Sequence, residues 1–159
     1  MTSDRWRSSR RRSKRMKDGM LNLNHEPPKS VVMVVDDEES VRKLTCRALQ
    51  MAGFRVIEAR DGVEALALID DATPVDLLCA DMNMPVLAGD EMARQLRLRQ
   101  PDLKVLYVSG FVDSLFEKRH TLWQGEAFLE KPFTSKGLLE AVSLLLHGRT
   151  HLSLSEAPA

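Results

Sequence analysis

The sequence predicts an α/β fold, a doubly wound parallel sheet of five strands covered by five helices. From residue 31 onward, short apolar runs alternate with amphipathic stretches of helical length. The runs also lack a polar face: VVMVV at 31–35 is unbroken. Parallel neighbours need crossover connections, which place helices on both faces of the sheet and bury its strands on both sides. Finally, acidic residues gather just after the strands, where open sheets of this class bind ligands.

The elements follow in order. VVMVV (31–35) is the first strand, and a helix follows with Val41, Leu44, Ala48 and Met51 on one face, closed by Gly53. FRVIEA (54–59) is the second strand, and Asp61 caps the helix GVEALALIDD. Pro74 breaks the chain before the third strand, DLLCAD (76–81). A loop with Pro85 and Gly89 leads into EMARQLRLRQ, whose inner face is Met92, Ala93 and Leu96, and Pro101 stops it. KVLYVSG (104–110) is the fourth strand. A helix around 113–123 follows with Leu115, Phe116, Arg119 and Leu122, then EAFLEK (126–131) as the fifth strand. The last helix, 135–147, buries Leu138, Leu139, Val142, Leu145 and Leu146.

At 159 residues and 43% hydrophobic, the chain has material for one domain with a proper core. Charge divides it near Ser30: residues 1–30 hold nine Lys/Arg against three Asp/Glu, and residues 31–159 hold fourteen against twenty. The first thirty residues offer little apolar surface to offset the entropy of ordering, and read as a basic flexible arm. A solvated tail is the favoured reading of that arm; contact with nucleic acid or an anionic membrane is the lesser one. Residues 31–147 form the folded domain and 148–159 a short flexible tail. No apolar run reaches the roughly twenty residues that span a bilayer, and no secretory h-region follows the basic stretch, so a cytoplasmic location is expected. Cys46 and Cys79 fall inside a helix and a strand and read as core packing. His25, His120, His147 and His151 are scattered and receive no ligand role.

The chemistry lies at the strand ends. Asp36 and Asp37 follow the first strand, Asp81 ends the third, Ser109 the fourth, and Lys131 follows the fifth. Three converging carboxylates repel and raise one another's pKa unless a cation neutralises them. Magnesium suits such oxygen ligands, using one or two carboxylates and taking the rest from water and phosphate. A lone lysine supplies a point charge for a phosphate-like group. Taken singly, the acids would read as helix N-terminal charges. Together they read as a phosphoryl-handling site.

At these residues the chain resembles the response-regulator receiver domains of two-component signalling. The match covers about residues 31–147 and rests on four motifs in order: VVDDEE, DMNMP (81–85) with Gly89 after it, SG (109–110), and KPF (131–133). The run VLYVSGF further resembles receivers attached to hybrid histidine kinases. The resemblance implies a flavodoxin-like sheet in order 2-1-3-4-5. It also implies that Asp81 takes a phosphoryl group from a phosphohistidine on a partner histidine kinase or phosphotransfer protein. Asp37 and Asp81 would bind Mg2+ directly, Asp36 through water, and Asn83 through its backbone carbonyl. Lys131 would neutralise phosphoryl oxygens, with a cis peptide between Lys131 and Pro132. Ser109 and Phe128 would form the switch, Ser109 standing where threonine is more usual. The changed surface would be the 113–147 face, bearing Trp123, Glu117, Lys118, Arg119 and Lys136, and would dock a downstream protein.

On this reading the chain is a stand-alone receiver, a signalling switch rather than an enzyme, catalysing only its own phosphorylation and slow dephosphorylation. One alternative is an aspartyl-phosphate phosphatase of related α/β fold, which wants a second acid two positions after the nucleophile; Asn83 stands there. The other is a phosphorylation-independent binding module, against which Asp81, Asp37, Ser109 and Lys131 all argue.

Overall fold

The computed structural model describes residues 29–70, 73–110 and 124–148. Their strands are β1 (Val31–Val35), β2 (Arg55–Ala59), β3 (Leu77–Asp81), β4 (Lys104–Ser109) and β5 (Glu126–Glu130). All pair in parallel, in the order β2-β1-β3-β4-β5. Four helices accompany them: α1 (Glu39–Met51), α2 (Gly62–Leu68), α3 (Gly89–Arg99) and α4 (Ser135–His147). The helix expected around 113–123, the arm before Lys29 and the tail after Gly148 lie outside the described residues.

Burial follows from the topology. β1 and β3 are central, and every residue of both is buried. Alternate strand residues feed two cores. On one face Met33, Val35, Leu78, Ala80, Val105 and Tyr107 pack with Met92, Ala93 and Leu96 of α3. On the other, Val32, Val34, Leu77, Cys79, Leu106 and Val108 pack with Cys46 and Leu49 of α1 and Leu138 and Val142 of α4. Both cysteines are therefore core residues, as expected, and burial pushes their thiols up to about 11 for Cys46 and about 12 for Cys79. Leu139, Leu145 and Leu146 of α4 are only partly buried.

Local signals set most of the boundaries. The Asp61 carboxylate accepts from the Glu64 N–H and caps α2. Thr134 does the same for α4 through the Gly137 N–H. The chain leaves α1 through Gly53 at φ 95°, a left-handed conformation that costs glycine no Cβ clash.

One expectation is overturned. Of the α1 face expected from Val41, Leu44, Ala48 and Met51, only Ala48 packs against the core, half-buried; Leu44 is 59% exposed and Met51 79%. Its buried residues are Arg42, Thr45, Cys46 and Leu49. The spacing is still helical, at i, i+3, i+4 and i+7, but a charged residue occupies the first position. Arg42 is tolerated inside because both of its hydrogen-bonding directions are met there: Nε donates to Glu58 Oε1 at 2.8 Å and Nη1 to the Asp36 carbonyl at 2.9 Å.

Candidate functional site

Parallel strands all end on the same side of the sheet, so the residues that follow β1, β3, β4 and β5 share one rim. β1 and β3 are hydrogen-bonded neighbours, with Val35 beside Ala80, which sets the acidic pair next to Asp81. One carboxylate oxygen from each of Asp36, Asp37 and Asp81 can be chosen so that all lie within 4.8 Å of one another. Asp36 and Asp81 are buried, and Asp37 faces water.

Lys131 enters this cluster from the end of β5. Its Nζ donates to Asp36 Oδ2 at 3.0 Å and to Asp81 Oδ2 at 3.2 Å, while its backbone N–H donates to the Ser109 carbonyl at 2.9 Å. The peptide between Lys131 and Pro132 is cis. A cation thus already separates two of the three acids. Burial pushes the Asp81 carboxyl above its ordinary range and the Asp36 charge adds to this; the Asn83 N–H and Lys131 offset part. For Lys131 burial works downward, but hydrogen bonding and attraction from Asp36 and Asp81 outweigh it and hold the ammonium above its ordinary value.

The loop after β3 is held tightly. Asp81 Oδ1 accepts from the Asn83 N–H at 3.0 Å, and the Gly89 N–H donates to the Met82 carbonyl at 3.2 Å. A Cβ on Gly89 would collide with the Asp81 carbonyl, so glycine is the residue that lets α3 start this close to Asp81. Asn83 Nδ2 donates to the Ser109 Oγ at 3.1 Å, joining the β3 loop to the end of β4. Ser109 is buried. Phe128 is half-buried beside Tyr107 across the β4–β5 ladder and packs on the same core. Ser109 and Tyr107 alternate onto one face of β4, so Phe128 lies on the Ser109 side of the sheet.

Asp36, Asp37, Asp81 and Lys131 are therefore assembled directly, and Ser109 joins them through Asn83. Phe128 is not drawn into the acid cluster and instead packs half-buried on the core. Three groups escaped sequence reasoning. Arg42 ties the backbone of the acidic pair to β2. The side chain of Asn83, expected only as a backbone ligand, holds Ser109. Glu126, with a side chain 0% exposed, accepts from Arg97 Nη1 at 2.6 Å and from the Tyr107 hydroxyl at 3.0 Å. The arginine falls at the i, i+3, i+4, i+7 spacing of Thr45, Cys46 and Leu49, but as a charged residue it reads in sequence as solvent-facing. The other two contacts span 26 and 19 residues and leave no local trace.

The donor set suits magnesium. Ligands opposed across an octahedral ion stand about 4.2 Å apart. Carboxylates within 4.8 Å meet that by a small rotation of exposed Asp37, or by a water on Asp36. Among the described residues no helix is long and apolar enough to cross a membrane.

The profile of the response regulator receiver domain matches residues 32–143. The chain is 37% identical over 118 residues to the sensor kinase CckA of Brucella abortus (strain 2308), covering 74% of this chain and 12% of that protein. It is 41% identical over 127 residues to the response regulator MprA of Mycobacterium ulcerans (strain Agy99), covering 79% of this chain and 53% of that one. It thus spans about half of the second relative and far less of the first. Among solved structures, the receiver domain from hybrid histidine kinase CckA aligns with a TM-score of 0.63 and 32% identity over 74% of this chain and 99% of that one. The Vibrio cholerae chemotaxis protein CheY4 aligns with a TM-score of 0.67 and 29% identity over 75% and 100%.

Proposed function

The chain belongs to the response regulator receiver domains of two-component systems, and from that membership we propose that Asp81 is its phosphoacceptor, charged by the phosphohistidine of a histidine kinase or phosphotransfer protein. The observation that carries this reading is the convergence of Asp36, Asp37 and Lys131 on Asp81. An Asp81 carboxylate oxygen attacks phosphorus in line, the O–P bond forms as the N–P bond breaks, and the imidazole leaves with the electron pair and takes a proton. Asp37 and Asp81 would hold Mg2+ with the Asn83 backbone carbonyl, and Asp36 would reach it through water. When bound, the ion supplies charge neutralisation for the phosphoryl oxygens. Lys131 supplies the second positive charge, a role that its contact with Asp81 supports. The protein is a switch and not an enzyme, catalysing only its own phosphorylation and slow dephosphorylation.

The Ser109 hydroxyl donates to a phosphoryl oxygen on Asp81, and the movement of its loop gives the Phe128 ring space to turn inward. The altered face would then dock a downstream protein through 113–147, of which 113–123 lies outside the described residues. Incubation with a small phosphodonor and Mg2+, read by intact mass, should add one phosphoryl group per chain, and Asp81→Asn should abolish the addition. Labelling of Asp81→Asn at the wild-type level would overturn the assignment.

A further inference from the structure

Arg42 has no part in the phosphoryl chemistry just described, yet it is built into the site from behind. It is 6% exposed on α1, in a position that would ordinarily be apolar. Replacing a buried ion pair with a well-packed apolar residue is often neutral or stabilising, so packing alone does not call for an arginine here. Its guanidinium spans two elements, with Nε on Glu58 of β2 and Nη1 on the Asp36 carbonyl in the turn after β1. Hydrogen bonding to Arg42 holds the Glu58 carboxyl below the ordinary range, so that anchor stays ionised at neutral pH. Lys43 Nζ, 3.1 Å from Glu58, braces the same carboxylate from outside.

The Asp36 carbonyl belongs to the peptide that joins Asp36 to Asp37. That peptide is planar, so fixing its oxygen fixes the direction in which Asp37 departs. The Asp36 side chain is already held by the Glu38 N–H at 2.9 Å and by Lys131. Asp37 is exposed, so the backbone beneath it, rather than packing, aims its carboxylate. We propose that Arg42, braced by Glu58, is a positioning residue for the divalent-cation site: it orients the Asp36–Asp37 peptide so that the Asp37 carboxylate meets those of Asp36 and Asp81. This inference rests on the metal reading of those three acids.

Electrostatics and positioning predict opposite signs. A positive charge behind the site repels a cation, so deleting it through charge alone should tighten binding. Loss of positioning should weaken it, by roughly tenfold if Arg42 behaves like other groups that orient metal ligands. The test is Mn2+ binding to the full, unphosphorylated chain, followed by the electron paramagnetic resonance of the free ion, with metal-free thermal melts run alongside. Arg42→Met keeps the buried stem and removes the donors. Arg42→Lys keeps the charge, but a single ammonium cannot reproduce the planar fork that reaches both partners. Both should bind Mn2+ roughly tenfold more weakly while still melting cooperatively without metal. Wild-type or tighter affinity in Arg42→Met, or wild-type affinity in Arg42→Lys, overturns the proposal. Asp37→Ala separates the two levels: if it binds Mn2+ as well as wild type, the metal reading itself fails, whereas a large loss there beside an unaffected Arg42→Met removes only the role given to Arg42.

Discussion

Asp81 is held in an environment that disfavours its own charge, and this has a measurable consequence. Burial first, then Asp36, raise the Asp81 carboxyl above its ordinary value in the folded chain. An acid with a raised folded pKa loses stability as pH climbs from the unfolded value to the folded one, and below the unfolded value both states are protonated and the loss is absent. Asp81→Asn should therefore melt at a higher temperature than wild type at neutral pH without divalent cations. The advantage should shrink as pH falls through the carboxylate range. Thermal melts between neutral and acidic pH check this, and a constant gap across the range would mean that the Asp81 charge is not its source. The Ser109 hydroxyl has a similar local logic. It lacks the methyl of a threonine, and the Asn83 amide supplies a tether in its place.

Among the elements, α1 gives the sharpest test because its buried face differs from the one its most apolar residues suggest. Leu49 is fully buried against the sheet and Leu44 lies 59% exposed on the same helix. Leu49→Ala should destabilise by about 3 kcal/mol, in the range for a fully buried leucine. Leu44→Ala should change stability by no more than about 0.5 kcal/mol. Denaturant titration of both variants decides between the two faces, and the reverse order would restore the Val41, Leu44, Ala48 and Met51 reading. β5 carries the second element-scale expectation. Ser109 and Phe128 share one side of the β4–β5 pair, so a signal read at Asp81 should spread along that pair toward α4. Amide exchange after beryllofluoride treatment should change mainly across 109–147. Ser109→Ala should keep phosphorylation and weaken that change; differences confined to 38–70 would place the output on the opposite face.

For the molecule as a whole, backbone bonding among the described residues begins at Ser30. The Arg55 N–H donates to the Ser30 carbonyl at 3.0 Å, and the Val31 N–H to Asp76 Oδ2 at 2.7 Å. Deleting residues 1–28 should leave the melting temperature and the phosphorylation rate unchanged, whereas deletion through Ser30 removes an acceptor and should lower the melting temperature. Loss of cooperative melting in the shorter deletion would show that the domain starts earlier. What the sequence determined by itself is the set of features coded over a few neighbouring residues: five strands with nearly their observed bounds, the caps at Asp61 and Gly53, and the identity of Asp36, Asp37, Asp81, Ser109 and Lys131, because strand ends in a parallel sheet fall on one rim whatever the details of packing. The tertiary structure alone decided which way α1 turns and what stands behind the acids. Arg42 meets Glu58 across 16 residues of chain, Asn83 meets Ser109 across 26, and Tyr107 meets Glu126 across 19. Hydrophobic periodicity registers a charged side chain as a solvent-facing one, and only the folded arrangement supplies the partners that make an arginine stable inside.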